Sequence, residues 1–331
     1  MFSPFRRFRP LSLAAAAVLS FAGCTGDDSP LAPADDGSVA PADLGQVEAV
    51  VSADAALITA QRIAFLSPRN GPLSVYKMDP AGYNVARLTK TADPVLQPAW
   101  SYDNKRIAVV RERWDGTVSH TDIWLVNADG TNGHWLRNPM SPWTLQDPSW
   151  APDGTHLLVS MYLAPYWYLG KLDVASGTIT LLHPSGGGII GSAPSYNKAG
   201  TRIAYVGSSH LTVDQVNTDG SGYKLLFKSF GPPVNMPRYS PDGGRIVFQK
   251  GPAGGNTDVF VKNLGTGVVT KLTSSTAADG LATWSPDGTK LAFVSWRSGP
   301  GQIYTMSSST GGSLTRITHT SVSEGAPVWS H

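Results

Sequence analysis

From about residue 57 onward, apolar residues come in short runs, each bounded by polar or Gly/Pro-rich segments. The clearest runs set one basic or polar residue ahead of three apolar ones: Arg106-Ile107-Ala108-Val109, His156-Leu157-Leu158-Val159, Arg202-Ile203-Ala204-Tyr205, Arg245-Ile246-Val247-Phe248 and Lys290-Leu291-Ala292-Phe293, with Arg62-Ile63-Ala64-Phe65 as a sixth member. Runs this short and rich in Ile, Val and Phe predict strands. A further strand follows, as in Asp122-Ile123-Trp124-Leu125-Val126, Asp258-Val259-Phe260-Val261 and Gln302-Ile303-Tyr304-Thr305-Met306. Another closes the unit, as in Ala86-Arg87-Leu88-Thr89, Thr270-Lys271-Leu272-Thr273 and Thr315-Arg316-Ile317-Thr318.

A turn motif sets the period. An aromatic residue followed by Ser-Pro-Asp-Gly, or a relic of it, occurs at Trp100, Trp150, Tyr196, Tyr239, Trp284 and Trp329, at intervals of 43 to 50 residues. Four short strands per unit of this length are the signature of a propeller blade. The expected fold is all-β, a six-bladed β-propeller over residues 57–331. The unit beginning at Arg62 has no innermost strand before it, and Glu324 to Ser330 form an innermost strand with no unit after it. The last strand is therefore expected to complete the first blade, leaving no edge open. In the turn, Pro presets φ, Asp bonds nearby amides and Gly accepts positive φ. Trp100, Trp150, Trp284 and Trp329 are expected to pack between blades, and Asp153, Asp242 and Asp287 to serve as turn carboxylates, too far apart for acid/base pairing.

The ends and the charge refine this picture. Arg6, Arg7 and Arg9 precede an apolar stretch from Leu11 to Phe21, followed by Ala22-Gly23-Cys24. That order reads as an export signal over residues 1–23. The small residues before Cys24 resemble a bacterial lipobox, so Cys24, the only cysteine, is the expected lipidation site and membrane anchor. Residues 24–56, rich in Ala, Asp, Pro, Ser and Gly, read as a flexible tether. The formal net charge is +2; without the three leader arginines, 23 basic residues face 24 acidic ones. No Lys/Arg run marks a nucleic-acid surface, and nucleic acid is not an expected partner.

The aromatic-Ser-Pro-Asp-Gly-x-x-Ile/Leu-Ala-Phe strings resemble the WD40-like repeats of the TolB family. The resemblance implies a non-catalytic propeller that binds other proteins of the bacterial cell envelope, facing the periplasm or cell surface. Family members carry a further N-terminal α/β domain, where this chain is expected to have only the tether. Prolyl-oligopeptidase-like propellers continue into a hydrolase domain with a Gly-x-Ser-x-Gly elbow, a motif not found here. Oligogalacturonate lyases hold a metal on several His of a propeller.

No His-x-x-x-His or Walker motif occurs, and no catalytic constellation, metal or cofactor is expected. His120, His183, His210 and His319 fall in or beside loops on one face and are read as isolated. Function is expected on the rim formed by the loops between second and third strands and between blades, rather than on the Ser-Pro-Asp-Gly turns. The expected binding residues are Arg111, Arg113, Trp114, Trp143, Gln146, Tyr162, Trp167, Ser192, Asn235, Trp296 and Arg297, with Gln146, Ser192 and Asn235 lining the channel mouth. Exposed Trp and Arg are common binding anchors. The expected ligand is an envelope protein or peptide. The alternative is a carbohydrate-binding or polysaccharide-lyase-type propeller acting at the channel mouth. A closed ring has no need of a second copy, so a monomer is expected.

Overall fold

The computed structural model describes residues 61–114, 119–137, 143–182, 188–252 and 254–331. The signal segment, the tether, Cys24 and His183 lie outside these residues. Six four-stranded antiparallel sheets account for all the strands described. Blade 1 joins β1 (Ile63–Ser67), β2 (Ser74–Met78) and β3 (Ala86–Arg87) to the last strand, β24 (Gly325–Trp329). Blade 2 is β4 (Val95–Trp100), β5 (Arg106–Trp114), β6 (Ser119–Asn127) and β7 (His134–Trp135); blade 3 is β8 (Thr144–Trp150), β9 (His156–Leu163), β10 (Tyr166–Asp173) and β11 (Ile179–Leu181). Blade 4 is β12 (Gly191–Tyr196), β13 (Arg202–Gly207), β14 (Thr212–Asn217) and β15 (Lys224–Lys228); blade 5 is β16 (Val234–Tyr239), β17 (Arg245–Lys250), β18 (Asp258–Asn263) and β19 (Val269–Lys271). Blade 6 is β20 (Asp279–Trp284), β21 (Lys290–Ser295), β22 (Gln302–Ser307) and β23 (Thr315–Arg316). The expected closure is present: β24 pairs antiparallel with β1, setting Trp329 opposite Ile63 and Val328 opposite Ala64.

The core is a series of seams. One apolar cluster lies between each pair of neighbouring blades, and each seam takes the aromatic residue that ends a first strand. Trp150 of blade 3, for example, packs with Val110 and Ile123 of blade 2, and Trp329 packs with Ala292 and Ile303 of blade 6. The indole N–H of Trp150 donates to the Ala99 carbonyl at 3.0 Å, and that of Trp284 to the Arg238 carbonyl at 3.0 Å. The basic residue opening the second strand covers the other face. The guanidinium of Arg106 lies 4.7 Å from the Trp150 ring and that of Arg245 4.7 Å from Trp284, each also donating to the next blade's turn at Gly154 or Gly288. At Arg106 and Arg245 the basic residue of the pattern is thus a seam contact as well as part of a strand signal.

The turn chemistry follows the expectation. Ser101, Ser240 and Ser285 hydroxyls accept the amides of Arg106, Arg245 and Lys290 at 2.9 Å each. Asp153 and Asp242 accept the amides two residues on, Thr155 and Gly244, at 2.9 Å. The fourth strands are shorter than the sequence suggests. In Leu88-Thr89, Leu272-Thr273 and Ile317-Thr318 the apolar residue is buried, and the threonine hydroxyl accepts an amide of the third strand: Val75, Val259 and Ile303, at 2.8, 3.0 and 2.8 Å. A side chain replaces the backbone ladder there, so the strand ends early. The turns before these strands rest on the preceding blade. At Gly82 (φ +93°) a Cβ would come 2.1 Å from the Ile317 carbonyl oxygen, and at Gly311 (φ +71°) 2.3 Å from that of Leu272, so only glycine allows the approach.

Every first strand contains a bulge. Three residues before each seam aromatic stands a non-glycine residue in the left-handed region: Gln97 (φ 48°), Asp147 (53°), Ala193 (52°), Met236 (51°), Leu281 (55°) and Ala326 (42°). The pairing register shifts at these points. Such a conformation costs about 1–2 kcal/mol per residue and persists because its surroundings hold it. The bulge amides are met by side chains. Asp147 N–H donates to Gln97 Oε1 at 2.9 Å, Ala193 N–H to Ser160 Oγ at 2.9 Å, Met236 N–H to Asn235 Oδ1 at 2.9 Å and Leu281 N–H to Gln249 Oε1 at 2.8 Å. The next residue is proline in five of the six strands, Pro98, Pro148, Pro194, Pro237 and Pro327, which adds no further amide to satisfy.

Two outcomes follow from this packing. Trp329→Ala should remove about 3–5 kcal/mol of stability by opening the seam that closes the ring, read by urea unfolding; Phe230→Ala, at a side chain 93% exposed, should change it by less than about 0.5 kcal/mol. The second concerns acid. The Thr155 amide holds Asp153 below the ordinary carboxylate range, and the Ser240 hydroxyl does the same for Asp242. Folded values below the unfolded one mean that the unfolded chain takes up protons first, so this stability is present above about pH 4 and is lost as pH falls through the folded values. Thermal melts across that range should show a smaller loss on acidification in Asp153→Asn/Asp242→Asn than in the wild type.

Candidate functional site

The expected rim lies at the end of the ring where the first strands begin, and Arg111 and Arg297 are engaged there. Arg111 Nη2 pairs with Asp93 Oδ2 at 2.6 Å while its guanidinium lies 5.2 Å from the Trp135 ring and 5.8 Å from Trp124. Arg297 Nη2 pairs with the buried Asp279 at 2.8 Å and covers Tyr304 at 5.2 Å. Arg69 repeats the arrangement with the buried Glu324, at 2.6 Å, and Tyr76, at 5.0 Å. These cations clamp a ring of the third strand, and for Arg111 one of the fourth as well, to a carboxylate at or just before the start of the first strand. Trp143 is half-buried, 5.0 Å from the guanidinium of Arg137. Tyr162 and Trp167 face each other across the β9–β10 hairpin at 5.3 Å. Trp296 follows β21 and is half-buried, and Arg113 and Trp114 end β5. Gln146, Ser192 and Asn235 are buried within β8, β12 and β16, one residue ahead of the bulge.

At the other end of the ring, where the first strands run into the Ser-Pro-Asp-Gly turns, there is a cavity of about 190 Å³. The residues after Gln146 and Asn235, rather than these two themselves, line it. Gln97, Asp147, Met236, Leu281 and Ala326 come from the bulges, and Arg238 from the position just before Tyr239. Tyr102, Lys198 and His331 complete the lining from the turns and the chain's last residue. The bulge explains the lining: a left-handed residue turns the strand locally, and the residue −3 from the aromatic lines the cavity in five of the six blades, Ala193 being packed against Val206 and Met236 instead. Of these five bulge residues two are polar, Gln97 and Asp147, and three apolar, Met236, Leu281 and Ala326.

Asp147 is buried and held by three donors: Gln97 Nε2 at 2.6 Å, Ser160 Oγ at 2.7 Å and the Ala193 amide at 3.2 Å. Burial pushes its carboxyl above the usual range, opposed by those hydrogen bonds and by the positive charge of Arg238. Burial lowers the Arg238 guanidinium, opposed by Asp147. His331 stacks flat on Tyr102, with centroids 3.8 Å apart and planes 7° apart, and its backbone N–H and C=O are both held by the Asn104 side chain. The residue as a whole is exposed, but desolvation of its ring against Tyr102 holds the imidazole down to about 4, neutral at pH 7.

Among the described residues the histidines do not gather into a ligand set. His120 stands in β6, His210 in the β13–β14 turn and His319 after β23. Among the described residues no three His, Cys, Asp or Glu side chains are placed to hold a metal ion. The bulge residues of the cavity and Arg238 escaped the sequence reading because each sits inside a strand that looks purely structural. A signal was available in the deviations between repeats. The position before the seam aromatic is Ala99, Ser149, Ser195, Thr283 or Val328 in five blades and Arg238 in one, and position −3 is acidic only at Asp147.

Residues 179–331 match the family described as the TolB beta propeller domain. A curated relative, the TolB homolog of Chlorobium luteolum, is 29% identical over 120 residues, which are 36% of this chain and about a quarter, 27%, of that protein. Among solved structures, TolB from Acinetobacter baumannii superposes with a TM-score of 0.68 at 20% identity, covering 82% of this chain and 67% of that one. The structure of a putative TolB from Agrobacterium tumefaciens gives 0.60 at 18% identity, covering 78% and 88%. With its six aromatic-turn repeats and its closure by β24, the chain is a six-bladed β-propeller, and its residues 179–331 are similar to the TolB beta propeller domain.

Proposed function

We propose that this propeller is a non-catalytic module of the bacterial cell envelope that binds a segment of another envelope protein at the mouth of its channel. The observation that carries the reading is the cavity at the turn end. Closure of the ring leaves it unfilled, and its two basic side chains, Arg238 and Lys198, belong to none of the ion pairs among the described residues. Groups that packing does not require are candidates for recognition. The opposite rim is a weaker candidate because Arg111 and Arg297 already bind carboxylates and rings of their own blades. The four aromatic residues Trp143, Tyr162, Trp167 and Trp296 remain there as secondary anchors. The lipobox-like Ala22-Gly23-Cys24 supports export and attachment through a lipid on Cys24, with the tether of residues 24–56 giving the ring reach from the bilayer.

Affinity capture from envelope extracts tests the first part. The wild type is expected to retain a specific protein that Ala326→Trp, which fills the cavity, and Lys198→Glu lose, while Trp143→Ala and Trp296→Ala keep it. Retention by the cavity variants with loss in the rim variants would move the site to the opposite face. For the anchor, palmitate labelling of cells should mark the wild type and not Cys24→Ser, which should also shift from the membrane to the soluble fraction; an unlabelled wild type rules the anchor out.

A further inference from the structure

Arg238 occupies a position that is small or β-branched in the other five blades. Its Nη1 donates to the Pro237 carbonyl at 3.1 Å and its Nη2 meets only the sulfur of Met236, at 3.8 Å. A guanidinium has five N–H donors in a planar fork, so most of its capacity is unmatched by a strong acceptor. Asp147, the only acidic side chain lining the cavity, already holds Gln97, Ser160 and the Ala193 amide. Lys198, exposed in the β12–β13 turn, adds a second positive charge at the cavity lining. Two cations therefore share the space with one carboxylate that is satisfied elsewhere. A half-buried charge lacking a partner is stabilised most by a counter-charge that arrives desolvated.

We infer that the cavity is a receptor for a single carboxylate, an aspartate or glutamate side chain of the bound segment, which enters beside Met236 and Leu281 and forms a forked pair with Arg238, guided in by Lys198. This rests on the peptide-binding reading above and names its chemistry. A volume of about 190 Å³ admits one side chain and not a folded element. The apolar half of the lining suits the methylenes that precede a carboxylate. A sugar acid fits less well, because saccharides bind by stacking on open aromatic faces. Trp100, Trp150, Trp284 and Trp329 line the cavity but are buried in seams, and one face of Trp150 and of Trp284 is covered by Arg106 and Arg245.

The test uses the mature chain and the blocked tripeptide acetyl-Gly-Glu-Gly-amide, its Gln counterpart and trigalacturonate, with binding followed by the NMR shift of the Trp284 indole N–H. The Glu peptide is expected to bind at least about tenfold more tightly than the Gln peptide, the scale of a hydrogen-bonded charge pair. Arg238→Gln should abolish that preference, Arg238→Lys should keep part of it without the forked geometry, and Lys198→Gln should weaken the Glu peptide about two- to threefold. If Arg238→Gln does not fold, the preference in Arg238→Lys decides: unchanged from wild type, it overturns the forked pair. Glu and Gln peptides that bind alike, both lost in Ala326→Trp, overturn the carboxylate receptor and leave the peptide-binding reading standing. Trigalacturonate binding with neither peptide bound overturns both.

Discussion

The pairing of β24 with β1 is the constraint on which the molecule depends. A blade is a thin sheet with two apolar faces, and neither is covered within the blade itself. Six seams cover them only if the ring closes, and it closes through hydrogen bonds between residues some 260 positions apart in the chain, such as Ser330 N–H to the Arg62 carbonyl at 2.8 Å. Trp329 fills the last seam against blade 6, just as Trp150 fills that against blade 2. Remove the last strand and blade 1 loses its hydrogen-bonded partner while blade 6 loses its cover.

Closure has a second consequence at the axis. Six first strands converge there, and each carries a left-handed bulge residue three positions before its seam aromatic. The bulge strain is held by side-chain acceptors such as Gln97, Ser160 and Gln249, which are themselves drawn from neighbouring strands. Five of these six residues thereby line the cavity, whatever their chemistry. Asp147 takes part in this bracing, because it binds Gln97, Ser160 and the Ala193 amide at once. Arg238 does not, which is why its charge is left facing the cavity.

The same residue types play opposite parts at the two ends of the ring. Arg111 and Arg297 look like exposed anchors in a loop, yet each is tied to a carboxylate and laid over aromatic rings of its own blade. Their charge is neutralised and their side chains are ordered, so they brace the blade. Arg238 looks like an unremarkable strand residue and belongs to none of the ion pairs among the described residues.

Strand order, blade number and closure were legible in the chain because each is written repeatedly. Arg106-Ile107-Ala108-Val109 and its five counterparts state the second strand six times, and the unmatched ends at Arg62 and Glu324 imply one another. Turn chemistry was legible at Ser240-Pro241-Asp242-Gly243 for the same reason: its hydrogen bonds span only a few residues. The bulges were not, since a left-handed φ at Ala193 or Leu281 leaves no trace in a residue type that normally avoids it. Nor was the engagement of Arg297 by Asp279, or the isolation of Arg238 from any carboxylate but one already bound. Local periodicity sets hydrogen bonding between neighbouring strands, which composition and spacing record. Which side chain meets which across the axis depends on the curvature of the closed ring, and that exists only once all six blades have packed.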